Sequence, residues 1–317
     1  CTVVARDIPI GNGSLLILYD RTGLVSDIYF PSVGSESHTQ GHVFKVGVWV
    51  NGAFSWIDGE GWERELDYED DTLVAKILLV NKALGIEIVL RDTVDFHENI
   101  YVREITARNF SQNFSELRCF FHHDFHIYGS EIGDTVCYKP EEKGLLHYKG
   151  QRYFFVNALT EEGIGLTQFA AGVKETRGLE GTWVDAVDGV LSGNPVAQGS
   201  VDSICAVHTT IPPGKKATVY YWMAACVNWK GVKRLHELIV QRTPAYFIRR
   251  TADYWKLWLH REQMKFGDLP DPIAQLYARS LLILRTHINN NGAVIASSDS
   301  DILHFSRDTY TYMWPRD

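Results

Sequence analysis

The chain has 317 residues, of which 45% are hydrophobic and 22% are charged, a composition typical of a globular protein with a buried core. Its formal net charge is −8 and no stretch is rich in Lys and Arg, which argues against a nucleic-acid partner. No apolar run approaches the roughly 20 residues that a membrane helix requires, so we expect no membrane partner either.

Strand patterns follow one another through the N-terminal two thirds of the chain. Residues 42–50 and 53–57, for example, meet across Asn51 and Gly52, a dipeptide that strongly favours a two-residue hairpin turn. Many short strands at regular spacing, with turn residues between them, are typical of antiparallel sandwiches. We therefore predict a mainly β fold, with a large antiparallel β-sandwich domain over residues 1–226.

The periodicity then becomes helical. Thr243 followed by Pro244 resembles an N-cap with proline at the first helical position, and Asp271 followed by Pro272 repeats the signature. Asn-Asn-Asn-Gly at 289–292 predicts a helix stop. Apolar residues recur at helical spacing around these signals: Val232, Leu235, Leu238 and Ile239, then Ile273, Leu276, Tyr277, Leu281, Leu284 and Ile288.

These signals predict a helical linker over residues 227–268 and the beginning of a second, helical domain over 269–317. One long helix cannot bury its own apolar stripe, so we expect partner helices in a missing C-terminal domain.

The five cysteines are odd in number and have no paired spacing. They predict buried reduced thiols and, with them, a cytoplasmic protein. No signal peptide is recognisable, although the chain begins with Cys1 instead of Met, so its N-terminus looks incomplete and an upstream signal peptide stays open.

The last ten residues, DTYTYMWPRD (308–317), concentrate aromatic side chains beside Arg316 and Asp317. Aromatic faces stack on the C–H faces of sugars, and an arginine and a carboxylate form charged hydrogen bonds with hydroxyl groups. Tyr310 and Trp314 could equally be core aromatics. The adjacent charged pair favours a sugar pocket, because charges are rarely buried without a partner or a task.

The chain resembles glycoside hydrolase family 15, the glucoamylase family, and especially its prokaryotic and archaeal branch. Segments that carry the resemblance are RDIPIGNGSLLILYD (6–20), DIYFPSVGSESHTQGH (27–42), FFHHDFHIYGSEIGDT (120–135), GAVIASSDSD (292–301) and YTYMWPRD (310–317). The last is the most specific. The resemblance implies a large sandwich (a supersandwich), linker helices and the start of an (α/α)6 barrel that holds the active site.

The resemblance also implies roles for the terminal motif. Arg316 and Asp317 match residues that bind hydroxyls of the non-reducing-end glucosyl unit, and Trp314 matches a wall of that pocket. Tyr310 matches a residue near the anomeric centre that would stabilise the transition state, whereas Tyr312 has only a packing role.

Family members are inverting α-glycosidases that act on α-glucans or α-glucosides without a cofactor. Their general acid and general base are glutamates that follow the matched motif, so we expect neither within this chain, which would be an inactive N-terminal fragment. The resemblance leaves glucoamylase, trehalase and glucodextranase activity open.

A rival site lies in the middle of the chain. On a strand, His122, Asp124 and His126 would share one face, because side chains alternate with period two. Two histidines and a carboxylate resemble a 2-His-1-carboxylate iron site, so a metal-dependent sandwich enzyme is one alternative. We favour mutual hydrogen bonding of these groups instead.

A non-catalytic sandwich that binds glycans or its partner domain is the other alternative. His38 and His42 are candidates for lining a cleft, although loop histidines are more often surface groups. Trp255 and Trp258 are expected to pack the linker against the sandwich, and the acidic stretch 58–71 reads as a solvated face.

Overall fold

The computed structural model describes residues 8–34, 36–174, 181–261, 270–295 and 313–314. Antiparallel strands hold more of the described residues than helices do, which confirms the mainly β prediction. The strands are β1 (Ile8–Gly11), β2 (Leu16–Tyr19), β3 (Val25–Tyr29), β4 (Val46–Val50), β5 (Ala53–Trp56), β6 (Glu63–Tyr68), β7 (Ala75–Asn81), β8 (Ile86–Val94), β9 (Ile100–Asn109), β10 (Ser115–His123), β11 (Asp134–Lys139), β12 (Gly144–Lys149), β13 (Arg152–Thr160), β14 (Gly163–Ile164), β15 (Gln168–Val173), β16 (Val196–Gly199), β17 (Val201–Ile211), β18 (Lys216–Cys226), β19 (Val294–Ile295) and β20 (Met313–Trp314).

Two large sheets make the sandwich. The smaller has the order β15-β17-β10-β4-β5, and the larger has the order β16-β11-β12-β13-β18-β9-β8-β7-β6, with β14 paired to β13. Strands β1, β2 and β3 form a third, three-stranded sheet. The predicted hairpin at Asn51 and Gly52 is confirmed: Val50 pairs with Ala53, and the two turn residues have φ of 49° and 95°.

The main core lies between the two large sheets. Phe121 on β10 and Tyr221 on β18 stack across it with ring centroids 4.5 Å apart, and alternate residues of both strands point inward with them. Each fully buried large apolar side chain stabilises such a core by roughly 1.5–3 kcal/mol.

Three helices follow the strands: α1 (Trp229–Arg242), α2 (Pro244–His260) and α3 (Asp271–Thr286). Helix α1 begins at the side chain of Asn228, which accepts a hydrogen bond from the Gly231 amide at 2.8 Å. Its predicted apolar stripe is confirmed, because Val232, Leu235 and Ile239 are buried in one cluster with residues of the larger sheet's outer face.

Helix α2 begins at Pro244 as predicted, but the Thr243 side chain makes no capping hydrogen bond. Trp255 and Trp258 lie 5.9 Å apart and pack against the main core, as expected for linker packing. Helix α3 ends at Thr286, earlier than the predicted stop, and residues 289–292 form the turn that follows. The predicted barrel beyond this helix stays a prediction.

Two expectations from composition remain, that the chain has no membrane-spanning helix and that its cysteines are reduced. Within the described ranges, no helix combines the length and the apolar character that crossing a membrane would need. The four described cysteines have free thiols; Cys119 and Cys205 are buried as predicted, whereas Cys137 and Cys226 are half-buried.

Candidate functional site

One strand of a short antiparallel pair lies within the terminal motif. Strand β20 pairs antiparallel with β19, so that Trp314 lies opposite Val294. Tyr310, Arg316 and Asp317 lie outside the described residues, as does Tyr312. Their sugar-binding roles therefore remain predictions, and for Trp314 the structure gives the backbone position.

The segment that leads into β19 is anchored on the sandwich. The Asn290 amide donates to the Gly13 carbonyl at 3.0 Å, and Asn290 Nδ2 donates to Ser14 Oγ at 2.9 Å. Gly13 has φ of +88°, and a Cβ there would lie only 2.4 Å from Asn290 Oδ1 and 2.9 Å from the Ile288 carbonyl. Only glycine fits this close approach without strain.

The loop at residues 12–14, which anchors this segment, is also connected to helix α2 by hydrogen bonds. Asn12 Nδ2 donates to the carbonyl oxygens of Asp95 (3.0 Å) and Glu98 (3.1 Å). The Asp95 carboxylate in turn accepts hydrogen bonds from Arg250 and from Thr251 Oγ1. One network therefore joins the sandwich, α2 and the turn that positions β19.

The rival histidine site differs from its prediction. Strand β10 ends at His123, so Asp124 and His126 lie beyond it, and the expectation of one shared strand face with His122 was wrong. His122 Nε2 instead lies 3.0 Å from Asp202 Oδ2 on β17, and both side chains are buried.

His42 takes the place of His122 in the cluster. His42 Nδ1 lies 3.4 Å from Asp124 Oδ2, and His126 Nε2 lies 3.2 Å from Asp124 Oδ1. The two imidazole rings stack with centroids 3.9 Å apart. One potential metal-ligating atom from each of the three residues lies within 4.8 Å of the others.

A lysine contacts two of the three members of this cluster. Lys174 Nζ contacts Asp124 Oδ1 directly and lies 2.8 Å from His126 Nε2, while its side chain is only 5% exposed. Burial on its own raises the pKa of Asp124, but the contacts with His126, His42 and Lys174 outweigh it and hold that pKa well below its usual range. The ammonium supplies the positive charge that a metal ion would bring, which favours the hydrogen-bonded interpretation.

A second histidine network lies deeper in the core. Ser203 Oγ lies 3.1 Å from His123 Nδ1 and 2.8 Å from His147 Nε2, and His123 Nε2 lies 2.8 Å from the Tyr221 hydroxyl. Burial lowers the pKa of His147 to about 3, so it is neutral in water at ordinary pH. These buried groups satisfy one another and hold the two sheets in register.

The His42 cluster opens into a cleft of about 570 Å³. The residues around it come from seven separate parts of the chain. They include Asp20, His42, Lys45, Asp58, His122, Asp124, Lys174, Trp183 and Asp202. Sequence reasoning missed Trp183 and interpreted Asp58 only as part of the solvated stretch 58–71, since no local spacing connects residues so far apart in the chain.

Comparison with known proteins gives the class to which this architecture is related. No protein-family profile matches the chain. In sequence it is 20% identical, over 319 aligned residues, to an uncharacterized glycosyl hydrolase of Methanocaldococcus jannaschii. The alignment covers 97% of this chain and 48% of that protein, so the chain spans about half the length of the curated relative that it matches.

Solved structures show the type of fold. A bacterial glucoamylase crystallised with acarbose matches with a TM-score of 0.73 and 12% identity, covering 94% of this chain and 43% of the glucoamylase chain. A family GH92 inverting mannosidase from Bacteroides thetaiotaomicron matches with a TM-score of 0.53 and 11% identity, over 93% and 38% of the two chains. The fold is therefore of the glucoamylase type, and the chain is related to glycosyl hydrolases.

Proposed function

We propose that this chain is the N-terminal part of an inverting α-glycoside hydrolase that releases glucose from the non-reducing ends of α-glucans or α-glucosides. The observation that carries the proposal is the fold likeness to a bacterial glucoamylase over 94% of the chain. The terminal run of aromatic residues, Arg316 and Asp317 supports it, because this combination suits a glucosyl unit.

In this proposal the terminal motif binds the reacting sugar. Arg316 and Asp317 hydrogen-bond its hydroxyls, Trp314 forms a wall, and Tyr310 stabilises positive charge that develops at the anomeric carbon. The pairing of strands β19 and β20 supports this proposal. Strand β19 follows the turn at Asn290, which is hydrogen-bonded to the sandwich, and β20 lies within the terminal motif, so the sandwich helps to fix the position of the motif.

Inversion needs two carboxyl groups roughly 6.5–9.5 Å apart, one to protonate the leaving oxygen and one to activate water. We place both groups in the remaining part of the longer protein, so the 317-residue chain alone would bind sugar weakly and hydrolyse nothing. The buried histidine networks then hold the sandwich together, and the sandwich braces the catalytic domain. The reaction requires no cofactor.

The stereochemistry of the product tests the mechanism. NMR of the first glucose released from maltotriose by the longer protein should show the β-anomer, whereas initial α-glucose would contradict inversion. Arg316→Lys in that protein should lower kcat/KM by about 100-fold, because lysine cannot form the paired hydrogen bonds of a guanidinium. Unchanged kinetics would remove Arg316 from the sugar pocket.

A further inference from the structure

The cleft beside the His42 cluster contains polar atoms with unmet hydrogen-bonding capacity. His122 and Asp202 are 3% and 1% exposed, and both line the cleft. Because the Asp202 carboxylate can only accept, His122 Nε2 carries the proton of their 3.0 Å hydrogen bond. In the neutral imidazole, His122 Nδ1 is then an acceptor, and neither it nor Asp202 Oδ1 has a hydrogen-bond partner in the described part of the chain.

Two buried acceptors without donors are destabilising unless water or a ligand supplies the donors. Thr182 Oγ1, next in sequence to the lining residue Trp183, is a third buried polar atom without a described partner. Two unpartnered atoms on residues that line one cleft indicate a site for a molecule that brings hydroxyl groups.

The segment that carries Trp183 is held close to this pair. The Thr182 amide donates to Asp202 Oδ2 at 2.7 Å. A Cβ on Gly181 would lie 2.7 Å from the same oxygen, and a Cβ on Gly172 would lie 2.5 Å from Thr182 Cγ2. Glycines at these two positions permit the close approach, so the side of the cleft that bears Trp183 has a defined position relative to Asp202.

Trp183 provides an aromatic wall. Its ring is half-buried and meets Trp56 edge to face at 6.1 Å, and Lys45 Nζ lies 4.6 Å from its centroid. An indole beside hydrogen-bonding groups is suited to a molecule with both an apolar face and hydroxyls.

The charges of the cleft exclude an anion. Four carboxylates line it, from Asp20, Asp58, Asp124 and Asp202, against the ammonium groups of Lys45 and Lys174. Since Lys174 is already paired with Asp124, the remaining field is negative and repels phosphate or carboxylate ligands.

We propose that this cleft is a carbohydrate-binding site on the sandwich, which takes a monosaccharide or a short neutral oligosaccharide. Sugar hydroxyls donate to His122 Nδ1 and Asp202 Oδ1, while a C–H face of the sugar lies against Trp183. The site uses none of the terminal residues assigned to the reacting glucosyl unit, and it does not depend on hydrolysis by the longer protein.

Calorimetric titration of the 317-residue chain with glucose and with maltotriose tests the proposal. The Arg316→Ala, Asp317→Asn double variant removes the weak binding proposed for the terminal motif and should keep the binding that Trp183→Leu weakens, because the cleft site uses neither residue. Trp183→Leu should weaken binding by about tenfold or more. Absence of millimolar binding to either sugar, or loss of binding only in the terminal double variant, would overturn the proposal.

Trp229→Leu is the matched control. Trp229 is also half-buried, lies under Lys139 Nζ at 4.7 Å and meets Phe155 edge to face at 5.7 Å, but does not line the cleft. It should leave sugar affinity unchanged, and an equal loss in both tryptophan variants would contradict the assignment.

A measurement on the unmodified chain avoids any dependence on variant folding. The ¹⁵N signal of His122 Nδ1 should shift on addition of the sugar that binds, because the nitrogen gains a hydrogen-bond donor. Binding without any change in this signal would place the sugar away from His122.

Discussion

Arg250 of helix α2 donates two hydrogen bonds to the carboxylate of Asp95, the residue that follows strand β8. Arg250 Nε donates to Asp95 Oδ2 at 2.7 Å, and Arg250 Nη2 donates to Asp95 Oδ1 at 2.5 Å. The carboxylate is completely buried and also accepts from the amides of His97 and Glu98. Helix α2 is therefore joined to the sandwich through a desolvated ion pair beside the Asn12 loop.

Replacing Asp95 should destabilise the chain strongly. Asp95→Asn leaves the partly buried guanidinium of Arg250 without a counter-charge, and we expect a loss of about 3–5 kcal/mol in the free energy of unfolding by urea. Glu98→Gln is the control, because Glu98 pairs with Arg234, whose side chain is 60% exposed. That change should cost less than about 1 kcal/mol. Equal losses would show that the Asp95 pair has no special structural role.

Gly13 should be intolerant of alanine for a reason beyond its backbone conformation. Gly13→Ala places a Cβ against Asn290 and should release the turn before β19, so that amide hydrogen exchange in residues 289–295 becomes faster. Gly52→Ala has a similar positive φ of +95° but no atom within 4 Å of the new Cβ. It should cost only about 1–2 kcal/mol of backbone strain and leave exchange in 289–295 unchanged. Unchanged exchange in the Gly13 variant would contradict the anchoring role.

Metal binding should depend on Lys174. We expect no stoichiometric iron, zinc or manganese in the purified chain, because the Lys174 ammonium lies among the candidate ligands. Lys174→Ala should create measurable Zn²⁺ binding by calorimetry through His42, Asp124 and His126, whereas Lys174→Arg keeps a cation there and should not. Stoichiometric metal in the unmodified chain, lost in a His126→Ala variant, would restore the metal-enzyme alternative.

Stability should fall as the solution is acidified below about pH 6.5. Burial lowers the pKa of His38 to about 4, so the unfolded chain binds more protons than the folded chain between about pH 6.5 and 4. The contribution of this histidine is complete above that window and is lost as the pH falls through it. The difference between 6.5 and about 4 corresponds to roughly 3 kcal/mol.

Urea unfolding measured across this pH range checks the expectation. His38→Gln removes the titrating group and should reduce the pH dependence, whereas His97→Gln, at an exposed position, should not. A His38→Gln variant with the same slope as the unmodified chain would assign the acid sensitivity to other groups.

Local features of the fold could be predicted from the sequence. The hairpin at Asn51 and Gly52 requires two residues that accept positive φ, and the stripe of α1 follows directly from the 3.6-residue period. In both cases the information lies within a few neighbouring residues.

The candidate site could not be predicted in the same way. Period-two alternation around His122 does not reveal where strand pairing stops, and the β10–β17 ladder ends at His123 opposite Ser203. The cluster then forms through His42, which is distant in sequence from Asp124 and is brought there by the fold. The terminal residues carry their roles through family resemblance, because no spacing within ten residues specifies a sugar pocket.

Glucose release tests the central claim most directly. The 317-residue chain and the longer protein that we propose contains it should be incubated with maltotriose and with trehalose under identical conditions. We predict release by the longer protein alone, and the preferred sugar would distinguish glucoamylase-like from trehalase-like activity. Release by the 317-residue chain itself would contradict the account, since the catalytic carboxyl groups would then have to lie within the sandwich or its helices.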